Sequence, residues 1–285
     1  MRWSGGQIVF LLLPGMLLVG LLLVVPLGYL LRFSFVGGPD TPPDAAPMQA
    51  FAHLLGDSYA LRIILRTFVI SLIVTVLCLL LGMPMAALIW QSGPRWRAPL
   101  TLLALSPQLV CVVVSAYGWV VLLGSKGLVN QALLGLGLIA VPLKLLYTDF
   151  SLVLGLVHVL LPFMVLSLLA ALDRIDPLLL DAGRMLGGSR MLLWRSVVLP
   201  LALPGIGAGT TVVFSLAVSS YVTPAVLGPS GPNFLTTLIY ESFISLYDWG
   251  AGAALAMVLL GATGLVLLGW TAWLSRRLAR TGMAA

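Results

Sequence analysis

Six apolar runs, each long enough to cross a bilayer as helix, constrain this chain more than any other feature. They lie at Ile8–Leu31, Leu65–Trp90, Leu100–Leu123, Ser151–Leu172, Val197–Val222 and Gly252–Leu274. A hydrocarbon layer of about 30 Å takes about 20 apolar residues of α-helix. Inside it every backbone N–H and C=O must be satisfied within the protein, which leaves helices and closed barrels. None of the runs alternates with period two, as a barrel strand would. The fold class expected is all-α, a polytopic membrane protein with six transmembrane helices. The first run is read as a span rather than a cleaved leader, because no small-residue cleavage site follows it and its apolar core is too long.

A seventh apolar stretch, Gly127–Tyr147, is broken by Gly135, Gly137 and Pro142 and flanked by Lys126 and Lys144. It predicts a short interfacial helix and a loop. The outer connection Arg32–Ile64 is rich in Pro and Asp and predicts a short amphipathic piece around Met48–Leu55. Cys78 and Cys111 both fall inside apolar runs and read as small core hydrophobes. His53 and His158 stand too far apart to suggest a shared metal, and no metal site is expected. No repeat points to a second domain, so residues 1–285 are read as one transmembrane domain.

Of the 285 residues, 60% are hydrophobic and 8% charged. A soluble globular chain carries about a quarter charged residues. Soluble enzymes and disordered segments are therefore poor fits. The net charge of +6 invites a nucleic-acid reading until the charges are sorted by side. With a cytoplasmic N-terminus, Arg2, Arg95, Arg97, Arg174, Arg184, Arg190, Arg195, Arg276, Arg277 and Arg280 face inward. Arg32, Arg62, Arg66, Lys126 and Lys144 face outward. That asymmetry follows the positive-inside rule. It predicts both termini inside and leaves no reason to expect a nucleic-acid partner.

The inner connection Asp173–Ser196 is the most informative stretch. Asp176 before Pro177 reads as an N-cap with proline at the first helical position. Leu178, Leu179, Ala182, Met185 and Leu186 recur at helical spacing beside Asp181 and Arg184. Gly187 and Gly188 stop that helix. A second amphipathic run, Met191–Val198, then leads to Leu199-Pro200. By composition this is a membrane-surface helix with arginines at headgroup level.

The spacing says more. Asp181-Ala182-Gly183, three residues, Gly187, nine residues, Val197, one residue and Leu199-Pro200 resemble the EAA loop of binding-protein-dependent ABC importer permeases. That pattern is Glu-Ala-Ala-x3-Gly-x9-Ile-x-Leu-Pro. The chain departs from it by Asp for Glu, Gly for the second Ala and Val for Ile. Gly183 is expected to loosen the helix by roughly 1 kcal/mol relative to Ala. The stretches Leu156–Leu166, Gly124–Asn130 and Leu145–Thr148 resemble spermidine/putrescine permeases, and the likeness covers about residues 60 to 280. His158 departs from it, standing where such permeases favour Tyr.

The resemblance implies a transport subunit in the bacterial cytoplasmic (inner) membrane. Its partners would be two cytoplasmic ATPase subunits, a second permease subunit, different or identical, and an external substrate-binding protein. Loop residues 173–200 would hold the coupling helix, with Asp181, Ala182, Gly183, Arg184, Met185, Leu186, Gly187, Leu199 and Pro200 at the ATPase junction. The chain has no Gly-x4-Gly-Lys-Ser/Thr phosphate loop, so hydrolysis falls to a partner. No catalytic residue and no cofactor are expected.

Polar residues inside spans are candidates for the solute path. In the fifth run Thr211, Ser215, Ser219 and Thr223 recur every four residues, with Tyr221 beside them. Hydroxyls at that spacing also bond back to the preceding turn and merely pack helices. Gly205 and Gly209 form a small-xxx-small pair for close helix approach. The third run offers Gln108 after Ser106-Pro107, then Ser115, Tyr117 and Trp119. The outer loop Thr223–Gly250 carries Glu241 and Asp248 among Tyr221, Tyr240, Tyr247 and Trp249. Carboxylates with aromatic faces suit ammonium ligands, and an interfacial aromatic belt gives the same composition. A polyamine-like cation agrees with these residues; permeases for thiamine, iron or phosphonate would share nearly all of them. An ion-coupled secondary transporter would need acids within the spans. None lies there.

Overall fold

The long apolar runs fold as helices in the computed structural model, which describes residues 5–37 and 49–280. Arg2, Asp40, Asp44 and Met48 lie outside the described residues. In chain order the α-helices are α1 (Gly5–Val36), α2 (Gln49–Gly56), α3 (Ser58–Gln91), α4 (Pro94–Leu105), α5 (Val112–Leu123), α6 (Leu128–Gly135), α7 (Asp149–Leu172), α8 (Pro177–Met185), α9 (Arg190–Leu193), α10 (Leu199–Val218), α11 (Val222–Leu227), α12 (Leu235–Tyr240) and α13 (Trp249–Arg280). No strand occurs among the described residues. Six helical stretches are long and apolar enough to cross a membrane. The amphipathic piece expected near Met48–Leu55 is α2.

The third and fifth runs differ from their expected limits. Leu100–Leu123 is not one helix: α4 ends in a 3₁₀ turn at Ser106–Leu109, Val110 and Cys111 are extended, and α5 begins at Val112. Pro107 disfavours a helical conformation at the residue before it and cannot donate a helical hydrogen bond. The third candidate span is accordingly Val112–Gly135, which takes in α6 from the segment expected to be interfacial. Cys111 is exposed at this break, whereas Cys78 is buried as expected. In the fifth run α10 ends at Val218. Thr223 lies on α11, buried, so it leaves the face shared by the other three hydroxyls.

The helices sort into two units, one from residues up to Arg62 with Leu238–Gly261, the other from Ile63–Thr237 with residues from Ala262 onward. In the first, Phe33 packs edge-on against Trp249 at 6.4 Å and Phe243 against Trp249 at 5.6 Å. Gly252 leaves room for the Phe243 ring. Asp248 caps α13, accepting from the Ala251 N–H at 2.9 Å.

The second unit is organised by α7. Leu152, Leu156, Leu160, Met164, Leu168 and Leu172 recur every four residues down its buried side. Against them pack Ile70, Val74 and Cys78 of α3. The glycine pair of α10 also packs against α7. A Cβ at Gly209 would stand 2.7 Å from Met164 Sδ, and one at Gly205 would stand 2.8 Å from the Ser167 carbonyl. The small-xxx-small pair thus brings two backbones together, as van der Waals association of spans requires.

Candidate functional site

The loop after α7 is built from local hydrogen bonds. The Asp176 side chain accepts from the Leu178 N–H at 2.9 Å, with Pro177 at the first helical position. At the other end of α8, Gly187 adopts a φ of +79°. Its N–H reaches the Arg184 carbonyl at 2.9 Å, and the Gly188 N–H reaches the Gly183 carbonyl at 3.0 Å. This pair of bonds is a Schellman motif, which satisfies carbonyls left open at a helix end. A Cβ on Gly188 would stand 2.8 Å from that Gly183 carbonyl. Both glycines of the stop signal are therefore required, for different reasons: one for its φ, the other for space.

The corner folds around Leu193, which is buried. Its Cδ2 occupies the place a Cβ on Gly183 would take. The departure from alanine that was expected to loosen the helix instead admits a leucine from the returning chain. The Ser189 hydroxyl caps α9 by accepting from Leu192 N–H at 3.3 Å. The returning segment is not a separate surface helix, because α9 runs through a π turn, Trp194–Val198, directly into α10. Pro200 has no N–H and its ring crowds the carbonyl four residues back. The widened turn immediately before it absorbs that mismatch.

α8 therefore has two faces. Leu180 and Gly183 turn toward the chain, while Leu178, Met185 and Leu186 are exposed, the last two at 90% and 89%. Ala182 is exposed beside them. Asp181 and Arg184 pair at 2.8 Å, both well solvated. A surface pair of this kind contributes only about 0–1 kcal/mol. Leu199 is exposed at the start of α10 and Pro200 half-buried. Three links tie the loop to the span ends. Arg97 pairs with Asp173, Arg190 donates to the Gln91 side chain, and Trp90 meets Trp194 at right angles with centroids 6.5 Å apart.

The candidate path residues sit on several elements. Thr211, Ser215 and Ser219 each donate back to the carbonyl four residues earlier, all at 2.8 Å. The hydroxyl oxygens keep acceptor capacity, and the three residues remain half-buried or exposed. Gln108 and Tyr117 are exposed and Ser115 half-buried. Tyr221 is exposed just beyond α10. His158 packs edge-on against Trp119 at 5.6 Å. Glu241 opens a π turn, Glu241–Ser245, in the first unit, where it is half-buried. Asp248, grouped with it in the sequence, is a helix cap, and Trp249 packs on phenylalanines.

Four polar residues whose partnerships sequence reasoning missed, Arg66, Asp149, Asn233 and Asn130, organise the opposite end of the second unit. Arg66 pairs with Asp149 and donates to Asn233 Oδ1 at 2.8 Å. Asn233 in turn donates to the carbonyls of Pro229, Ser230 and Gly231. Buried Asn130 donates to the carbonyls of Gly124 and Leu143 and accepts from the Leu143 N–H at 2.8 Å. For the two asparagines the sequence signal was an amide side chain beside turn glycines.

No family model matches the chain. It is 31% identical over 266 residues to the spermidine/putrescine transport system permease protein PotB of Salmonella typhimurium (strain SL1344), covering 93% of this chain and 88% of that protein. To the protein of the same name from Escherichia coli (strain K12) it is 30% identical over 276 residues, covering 96% and 95%. Its fold matches a chain of a bacterial alginate ABC transporter crystallised with an alginate pentasaccharide-bound periplasmic protein. There the TM-score is 0.79 at 18% identity, covering 97% of this chain and 94% of that one. The fold of this chain, with its six candidate spans, is thus matched by that transporter chain.

Proposed function

Because the chain belongs to the family of ABC importer permease subunits that includes the spermidine/putrescine permeases, we propose that it moves a polyamine-like cation inward by alternating access. It is a multi-pass inner-membrane subunit and not an enzyme. ATP hydrolysis resides on separate ATPase subunits, and an external binding protein delivers the solute. A second permease subunit completes the path, and both termini face the cytoplasm. The whole chain acts as one permease domain, with 173–200 as its coupling loop.

The observation that carries this reading is the exposed apolar face of α8. Leu178, Ala182, Met185 and Leu186 form a stripe on a short helix held rigid by an Asp cap and a Schellman stop. An apolar face on a firmly capped helix outside the spans calls for a protein groove to cover it. Asp181, Ala182, Gly183, Arg184, Met185, Leu186 and Gly187 form that junction, with Leu199 and Pro200 passing its movement into α10. Helix movement of this kind is a two-state, rigid-body change driven by the partner. Thr211, Ser215, Ser219, Tyr221, Gln108, Ser115, Tyr117 and Glu241 are the residues we assign to the solute path.

The test is reconstitution of the permease with its ATPase, second permease and binding protein in proteoliposomes. ATP-dependent accumulation of labelled spermidine or putrescine is the expected result. Accumulation of thiamine, ferric ion or a phosphonate instead would keep the class and replace the solute. Uptake driven by an ion gradient without ATP would overturn the class itself.

A further inference from the structure

Beneath α8 lies a cavity of about 540 Å³, within the range of small-molecule sites. Its walls come from α8, the end of α3, and the turn that leads into α10. Trp90, Trp194, Leu180 and Leu193 supply apolar and aromatic surface, while Arg184 and Arg190 supply two guanidinium groups. No acidic residue lines it. Asp181 pairs with Arg184 at 2.8 Å but does not line the cavity.

Two charges of one sign facing a shared cavity repel each other unless an anion sits between them. Arg190 spends one N–H on Gln91, and Arg184 spends one on Asp181. Each guanidinium has five donors in a fork that matches phosphate oxygens. Both arginines thus keep donors for a ligand. Trp90 and Trp194 stand at the ends of the second and fifth candidate spans, where indole rings mark headgroup depth. Apolar wall, interfacial tryptophans and paired arginines together describe an amphiphile with a phosphate head. Basic pockets between span ends are suited to such headgroups.

We propose that this cavity binds the phosphodiester head of an anionic phospholipid, with the acyl chains leaving toward the bilayer past Trp90 and Trp194. The site is separate from the exposed stripe of α8 and does not depend on which solute is carried. It excludes a polyamine, since both of its charged groups are cationic.

The test uses the full-length permease, alone and with its partner subunits, in native mass spectrometry. Phosphatidylglycerol, phosphatidylcholine and inorganic phosphate are the probes. Phosphatidylglycerol should be retained about tenfold better than phosphatidylcholine, because the two guanidinium groups repel the quaternary ammonium of choline. Arg190→Gln should lower its occupancy about tenfold, and Arg190→Lys should fall between, keeping charge without the fork. Brominated phosphatidylglycerol should quench wild-type tryptophan fluorescence, and less so in Trp194→Phe, which tests the site even if the arginine variants fold poorly. Equal occupancy by the two lipids, or unchanged quenching, overturns the proposal. Displacement by inorganic phosphate assigns the cavity to a soluble phosphate and overturns the lipid. Loss of the lipid on addition of the ATPase gives the cavity to a protein partner and overturns it as well.

Discussion

Leu193 Cδ2 stands 2.3 Å from where a Cβ of residue 183 would be, so an alanine there would have to displace the end of the Leu193 side chain. Two effects oppose each other there. Alanine favours helix over glycine by about 1 kcal/mol, while overpacking costs about 1–3 kcal/mol. Gly183→Ala should therefore lower the thermal midpoint of the purified permease modestly. In a Leu193→Ala background the same change should raise it. A double-mutant cycle with coupling below about 0.5 kcal/mol would sink the packing account.

Gly187 tests conformation rather than space, because nothing stands near its missing Cβ while its φ is +79°. The left-handed region costs an ordinary residue about 1–2 kcal/mol, and Asn tolerates it best after Gly. Gly187→Val should cut ATPase stimulation by the loaded binding protein about tenfold, with membrane insertion intact. Gly187→Asn should retain most of it. Equal activity of the two variants would show that the turn does not transmit the stroke.

Asp181→Lys replaces the partner of Arg184 with a like charge on the exposed face of α8. The pair itself contributes about 0–1 kcal/mol, so folding should be unaffected. Docking should suffer instead, read as reduced co-purification of the ATPase or uncoupled hydrolysis. Normal association with normal transport removes Asp181 from the junction.

At the opposite end, Asn233 and Asp149 share Arg66 but differ in weight. Asp149 is exposed and its pair is screened, whereas Asn233 holds three turn carbonyls. Hydrogen exchange across Pro229–Phe234 should accelerate clearly in Asn233→Ala and little in Asp149→Asn. The reverse order would mean that the ion pair, not the amide, holds this loop.

Glu241→Gln removes a half-buried carboxylate from the outer segment without changing its shape. If the charge meets a cationic solute, KM for spermidine uptake should rise about fivefold, equivalent to about 1 kcal/mol. Uptake unchanged at every concentration takes Glu241 out of the path.

The hydrocarbon layer made the number of spans legible, since only long apolar helices satisfy their own backbone there, but the break at Pro107 moved the third to Val112–Gly135. The Asp176-Pro177 start, the Gly187-Gly188 stop and the Gly205/Gly209 pair were equally readable, because each is a local rule about caps, φ or missing volume. What sequence could not decide was partnership over distance. Asp248 looked like a ligand carboxylate until α13 claimed it as a cap, and Gly183 looked like a weak helix residue until Leu193 filled its space. Arg66 and Asn233 lie 167 positions apart and meet only because α3 packs beside the loop that leads into α12. Polar side chains have many affordable partners in a sequence, and only packing selects one.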